Sequence, residues 1–320
     1  MIVRWGLDEL EPLLGELGIE RPFVVASDRW ANLPLRATGR WSEVPTERID
    51  EVAHAAAGAD GLLAVGGGSA IDLAKAVSAA TGLPLVSVPT TYSGAEWTDF
   101  FGVRDPDRRM RGGGSGAHPT AIVYEPRLTL ELSRESSGGT ALNALAHSAE
   151  ALYVKGHSPE GDCEALEGAR LIGEWLPRVL DDGHDLDART GLLEGAQHAG
   201  AALGSTGLAL GHAMAQALGG RYGIAHGAAN ALCLPPALRF NEPVAGDEIR
   251  RFGLALGTDD PVARTEELAR ASGFTRLRDL GVPEDELDEV AEATARRAGA
   301  KANPRRASPD EIAELLRSIW

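Results

Sequence analysis

At 320 residues the chain is long enough for two domains of ordinary size. Its 31 Lys and Arg against 47 Asp and Glu leave a formal charge of −16, which disfavours contact with phosphate backbones and anionic membrane surfaces. The two cysteines, Cys163 and Cys233, suggest neither a disulfide framework nor a redox or zinc motif, and no apolar run reaches the roughly 20 residues of a membrane span. A cytoplasmic protein with no nucleic-acid or membrane partner is expected, its start lacking the basic and then apolar pattern of a signal peptide.

The chain opens on a short stretch that soon reads as an amphipathic helix, MIVRWGLDELEPLLGELG. Then come the apolar run FVVA at 23–26, a helix near 47–57, GLLAVGGG at 61–68, a helix from 69 to about 80, LVSVPTT at 85–91 and AIVYEP at 121–126. Short buried strands alternating with helices predict parallel βαβ units and an open, Rossmann-like sheet. The polar, Gly-rich stretch 104–119 is a loop or hairpin tip. From about residue 134 the pattern becomes helix after helix, over about 139–155, 160–175, 188–203, 206–219, 227–240, 259–271, 284–299 and 308–319. The expected division is an α/β dinucleotide-binding domain over 1–133 and an all-α domain over 134–320.

LLAVGGGSAIDLAKAV runs from a buried strand through three glycines into a helix that Ser69 can cap. Glycines let the backbone approach a pyrophosphate, and free N–H groups at a helix start bind its charge. PTTYSGAEWT at 89–98 ends a second strand in Thr90 and Thr91, whose hydroxyls reach the same sheet edge. A tight turn with no ligand is the alternative for the glycines.

GGGSAIDLAK followed by PTTYSGAE resembles the cofactor-binding signature of the iron-containing alcohol dehydrogenases, and the PTTY form is similar to that of the maleylacetate reductases. The resemblance implies a dehydroquinate synthase-like fold, with the active site in the cleft between the two domains. It also implies that Gly67, Gly68, Ser69, Asp72, Lys75, Thr90 and Thr91 line a nicotinamide cofactor. Tyr92 and Trp97 could wall its nicotinamide side, or Trp97 could be interdomain core. Asp28 occupies the place where the family often has an acidic residue near the adenosine ribose. A carboxylate there favours NAD over NADP, although Asp28 reads equally well as a turn cap.

Asn143 and His147 in NALAHSAEALY lie four apart on one face of a predicted helix; His212 sits in a further helix, and His226 follows GGRYGIA. By spacing alone they could be unrelated. The resemblance groups them, because the family holds a divalent metal with an Asp and a His four residues apart and two later histidines. Asn143 stands where the Asp would be, as in maleylacetate reductases. An amide carbonyl offers a dipole in place of a charge, so iron is weakened; zinc on three imidazoles, or no metal, are the alternatives. Gln216 replaces a second histidine of the metal-dependent relatives and cannot relay a proton. His147, His212 and His226 are therefore the expected catalytic donors, stabilising the oxyanion that forms when a hydride reaches a carbonyl or enone carbon.

The expected substrate is a small carbonyl or alcohol. Arg104, Arg108, Arg109, Arg111 and Arg221 are candidates to neutralise a dicarboxylate, and His118, which follows the Gly-rich loop, is a further candidate histidine. A homodimer is expected. Two other readings stay open: a lyase of dehydroquinate synthase type using NAD and zinc, and a non-catalytic NAD-binding relative.

Overall fold

A computed structural model describes residues 1–320, which divide into two compact units: residues 1–91 with 95–129, and 92–94 with 130–320.

In the first unit the strands are β1 (Ile2–Trp5), β2 (Pro22–Val25), β3 (Gly39–Trp41), β4 (Gly61–Gly66), β5 (Leu85–Pro89) and β8 (Ala121–Tyr124), with β6 (Phe101–Arg104) and β7 (Met110–Gly114) forming a separate hairpin. The main sheet has the order β1-β8-β5-β4-β2-β3 and every pairing in it is parallel. β4 and β5 are buried along their whole length, which is why they read as continuous apolar runs without alternation. β1 and β3 escape the sequence pattern, being edge strands of four and three residues, IVRW and GRW, whose arginines interrupt any apolar run. Within the Gly-rich 104–119 stretch, residues up to Gly114 form the tip and return strand of the β6–β7 hairpin.

Helix α1 (Leu10–Glu16) covers one face of the sheet, with Leu10, Leu13 and Leu14 packed on Val24, Val65, Val86 and Val123. Helices α2 (Ile49–Ala55) and α3 (Gly68–Thr81) cover the other, where Val52, Ile71, Ala74 and Val77 meet Phe23, Leu62 and Leu85. β2 leads outward to β3 while its neighbour β4 leads back through α3 to β5, so the chain reverses direction between β2 and β4. Open α/β sheets bind ligands at the carboxyl ends of strands at such a switch point.

The second unit is helical: α4 (Arg134–Ala151), α5 (Pro159–Asp181), α6 (Leu186–Ser205), α7 (Leu210–Tyr222), α8 (His226–Ala255), α9 (Pro261–Ala271), α10 (Leu287–Ala295), α11 (Ala298–Ala302) and α12 (Pro309–Ser318). Ser133, Ser158, Asp185, Asp260 and Ser308 cap α4, α5, α6, α9 and α12 through their side chains. The expected 227–240 helix falls in the first part of α8, which is two helical segments meeting at a kink at Ala245, two residues after Pro243. α4 is buried along nearly its full length and packs on α5, α6 and α8. Its crossing with α8 is as tight as backbones allow, because a Cβ at Gly227 would lie 2.4 Å from the Gly139 carbonyl carbon. No helix is long and apolar enough to cross a membrane.

The first unit contains a buried carboxyl. Glu96 accepts a bond from the Tyr124 hydroxyl at 2.9 Å, but its other oxygen has no partner. Burial raises its pKa from 4.5 to about 6, against the lowering effect of its own backbone amide, Tyr124 and Lys75. A carboxyl raised in the folded state gives its full stability below the unfolded value and loses it as pH rises through the folded value, so stability declines between about pH 4.5 and 6. Glu96→Gln should therefore match the parent near pH 4 and exceed it by about 2 kcal/mol at pH 8. Urea unfolding at the two pH values checks this; an equal effect at both would show that Glu96 is not the titrating group.

Candidate active site

The nucleotide edge is built by the ends of β4 and β5. Thr90 N donates to Gly66 O at 3.0 Å, and a Cβ on Gly67 would meet Thr91 Cγ2 at 2.9 Å, so only glycine lets the loop lie against Thr91. Gly66, at φ 155°, is also hemmed by Ala70, whose Cβ would stand 2.7 Å from an added one. Helix α3 starts at Gly68 with Gly67 as its N-cap, and no side chain closes the turn. Ser69 is thus inside the helix and does not cap it. The first N–H groups of a helix have no intrahelical acceptor, and Thr91 Oγ1 is buried with no partner. Positive backbone potential, glycine clearance and an unpaired hydroxyl suit a pyrophosphate. Asp28 stands exposed just beyond the carboxyl end of β2, on a turn with no side-chain cap bond.

Asp72 and Lys75 have another task. Lys75 is fully buried and its ammonium reaches Ala95 O (2.8 Å), Thr98 Oγ1 (3.0 Å), Phe100 O (2.5 Å) and the Asp72 carboxylate (3.0 Å). Asp72 also accepts Gly102 N at 3.1 Å. Every donor of Lys75 is engaged by these groups, so it pins the segment leading into the β6–β7 hairpin to α3. Trp97 donates to the Tyr124 hydroxyl at 2.8 Å.

Tyr92 is also engaged by the protein itself. It is completely buried in the second unit, with its hydroxyl accepting from Arg189 Nη1 at 3.1 Å. Arg189, 1 % exposed, also donates to Ser137 Oγ (2.7 Å), Gly183 O (2.9 Å) and Leu132 O (3.3 Å), all neutral acceptors. Tyr92 N bonds Thr140 Oγ1 and Ser93 O accepts from Asn143 Nδ2, so the Tyr92–Gly94 strip is laced to α4.

Asn143, His147, His212 and His226 do come together. The His147 and His212 rings stack with centroids 4.7 Å apart, and His226 lies 5.7 Å from His212. Asn143 donates to His147 Nε2 at 3.4 Å, and its own oxygen accepts from Asn230 at 2.7 Å; Asn230 Nδ2 is also 3.0 Å from His226 Nε2. Burial, followed by the nearby His212 and His226, pushes His147 well below the ordinary imidazole range, which keeps it neutral. With Nε2 as acceptor its proton sits on Nδ1, which is buried and unpartnered.

The residue that orders the cluster is Glu150. This fully buried carboxylate accepts Ala209 N (2.6 Å) and His212 N (3.1 Å) at the start of α7, and His212 Nδ1 at 2.8 Å. It satisfies helix N–H groups that would otherwise be orphaned and fixes the His212 tautomer, leaving Nε2 buried and unpaired. Sequence reasoning passed over Glu150. The signal was there, since 143, 147 and 150 fall on one face of α4 and Glu150 is the only acid among its apolar turns. Gln216 lies one turn beyond His212, with Arg297 donating to its carbonyl at 3.1 Å. No single signal in the sequence identified Arg297. Of the expected arginines, Arg111 is paired with Asp105, and Arg221 with Glu286 and Glu289.

Residues 4–126 match the family Iron-containing alcohol dehydrogenase, and residues 138–320 match the C-terminal Fe-containing alcohol dehydrogenase family. The chain belongs to the iron-containing alcohol dehydrogenase family and is an NAD(P)-dependent oxidoreductase. Within that family it is maleylacetate reductase-like. It is 35 % identical over 336 aligned residues to a maleylacetate reductase of Pseudomonas knackmussii, covering 99 % of this chain and 95 % of that one. The fold is similar to a putative alcohol dehydrogenase from Ralstonia eutropha (TM-score 0.92, 32 % identity) and to maleylacetate reductase from Agrobacterium tumefaciens (TM-score 0.90, 29 % identity), each alignment covering 100 % of this chain and 95 % of the other.

The donors here do not fit the iron of the family's name. Asn143 brings no charge and has its carbonyl oxygen engaged by Asn230, His147 Nε2 faces the Asn143 amide, and no three His, Cys, Asp or Glu side chains stand in a metal-holding arrangement.

Arg189→Met would strip donors from Tyr92, Ser137 and two carbonyls at once, and should lower unfolding stability by about 3 kcal/mol, whereas Tyr92→Phe, which loses a single bond, should lower it by about 1 kcal/mol. Equilibrium urea unfolding checks the order of the two effects.

Proposed function

We propose that the chain reduces a small carbonyl or enone substrate using the histidines of the second unit as its proton and oxyanion machinery, without a divalent metal. The observation that carries this is the buried Glu150–His212 pair with Nε2 of His212 left unpaired.

Bound NAD(P)H supplies the hydride. The Gly66–Gly68 loop, the α3 N-terminus and Thr91 hold its pyrophosphate, with Asp28 at the adenosine ribose favouring NAD. His147, kept neutral, donates from Nδ1 to the substrate oxygen as the carbonyl π electrons move onto it. His212 places Nε2 toward the same oxygen and passes to it a proton drawn from solvent, while Glu150, bonded to Nδ1, holds the ring in place. Gln216 takes no part in proton movement, because an amide does not titrate near neutrality. His226, bonded to Asn230, completes the polar lining. The names of the relatives favour maleylacetate, whose enone accepts the hydride on carbon while the enolate oxygen takes the proton.

The test is NADH oxidation across maleylacetate, simple aldehydes and 2-oxo acids, before and after exhaustive chelation. Turnover that survives chelation is expected; silence with every substrate would overturn the reductase reading, and activity returning only with added Fe²⁺ or Zn²⁺ would overturn the metal-free one. Glu150→Gln, which retains an acceptor for the α7 N–H groups but turns a donor toward His212, should lower kcat about 100-fold or more with the circular dichroism spectrum intact.

A further inference from the structure

Arg297 is the N-cap of α11, and its guanidinium lies against α7, with Nη2 donating to Gln216 O at 3.1 Å and Nη1 reaching Gln216 Oε1 at 3.4 Å. Nε is buried with no partner, and no carboxylate pairs with the group. Burial alone depresses its pKa, with no acidic neighbour to offset it. That is an odd state for an arginine in a chain of net charge −16, where most arginines have found an Asp or Glu. A half-buried cation with two of its five N–H donors spent on one glutamine retains a fork suited to a carboxylate.

The group is also held in place. A Cβ on Gly299 would strike Ala209 O at 2.6 Å, so α11 sits directly on the start of α7. Asn303, at the other end of α11, accepts Leu210 N at 3.3 Å and exchanges bonds with Asn241 at 3.0 and 2.7 Å. His212 and Gln216 are four residues apart on α7, hence on one face and separated by roughly 6 Å of rise. Bonded to the Gln216 side chain, the guanidinium therefore lies along the face of α7 that carries His212.

We propose that Arg297 anchors a carboxylate of the substrate and thereby makes this enzyme selective for oxo acids over neutral carbonyls. The inference rests on the reductase reading above. Gln216 is then a bracket that orients the guanidinium, which gives a use to the residue standing where a proton-relaying histidine is lost.

The experiment compares kcat/KM for an oxo acid with that for its methyl ester in the parent, Arg297→Met and Arg297→Lys. The oxo acid to ester ratio should fall about 100-fold in Arg297→Met, chiefly through KM, and recover in part in Arg297→Lys. Equal losses for acid and ester, or an unchanged ratio, would overturn the proposal. Should the parent reduce no carbonyl at all, the reductase reading fails by itself. Calorimetric binding of succinate to the parent then decides the anchor: binding lost in Arg297→Met supports it, and no binding or equal binding overturns it.

Discussion

A single buried carboxylate organises the helical unit. Glu150 cannot leave water uncompensated, and it is compensated by two N–H groups at the start of α7 and by His212 Nδ1. The same three bonds fix where α7 begins relative to α4, which ring nitrogen of His212 carries the proton and which is left open. Helix placement and chemistry thus share one cause. Replacing Glu150 by an apolar side chain would leave orphaned donors at the helix start as well as a histidine of undefined tautomer.

Two buried cations show a related economy. Lys75 in the first unit and Arg189 in the second are both almost wholly removed from solvent. Arg189 is satisfied by hydroxyls and carbonyls alone, and Lys75 by carbonyls, a threonine hydroxyl and the partly exposed Asp72. Each thereby gathers a connecting segment: Lys75 the stretch from Ala95 to Phe100, which starts in a short 3-10 turn, and Arg189 the Tyr92 strip together with the turns at Leu132 and Gly183. Loop positions that would be soft on the surface are set by a charge that has nowhere else to go. Arg297 differs because its donors are not all used within the protein.

Much of the architecture was readable beforehand. The β4, β5 and β8 runs and the succession of Ala- and Leu-rich helices declared themselves because buried strands and amphipathic helices leave periodic traces. The exceptions have local reasons: β1 and β3 are short edge strands, and α8 kinks at Ala245, just past Pro243, before a second helical segment runs to Ala255. Asn143, His147, His212 and His226 were each visible as residue types at suggestive spacings, but it is the packing of α4, α7 and α8, with Gly139 and Gly227 letting the α4 and α8 backbones touch, that brings them together.

The sequence by itself determined which elements form, that a Gly-rich turn would follow β4, and which polar residues sit on the inner helix faces, since all of these are properties of short windows. Only the tertiary structure decided what those residues do. Lys75 and Tyr92 belong to motifs that suggest cofactor contact, yet besides the Asp72 pair of Lys75 their side-chain polar atoms are engaged by protein partners 20 to 97 residues away. Glu150 and Arg297, unremarkable in the chain, acquire their roles from what surrounds them. The reason is that a side chain's chemistry is set by its unsatisfied donors and acceptors, and satisfaction depends on residues distant in sequence.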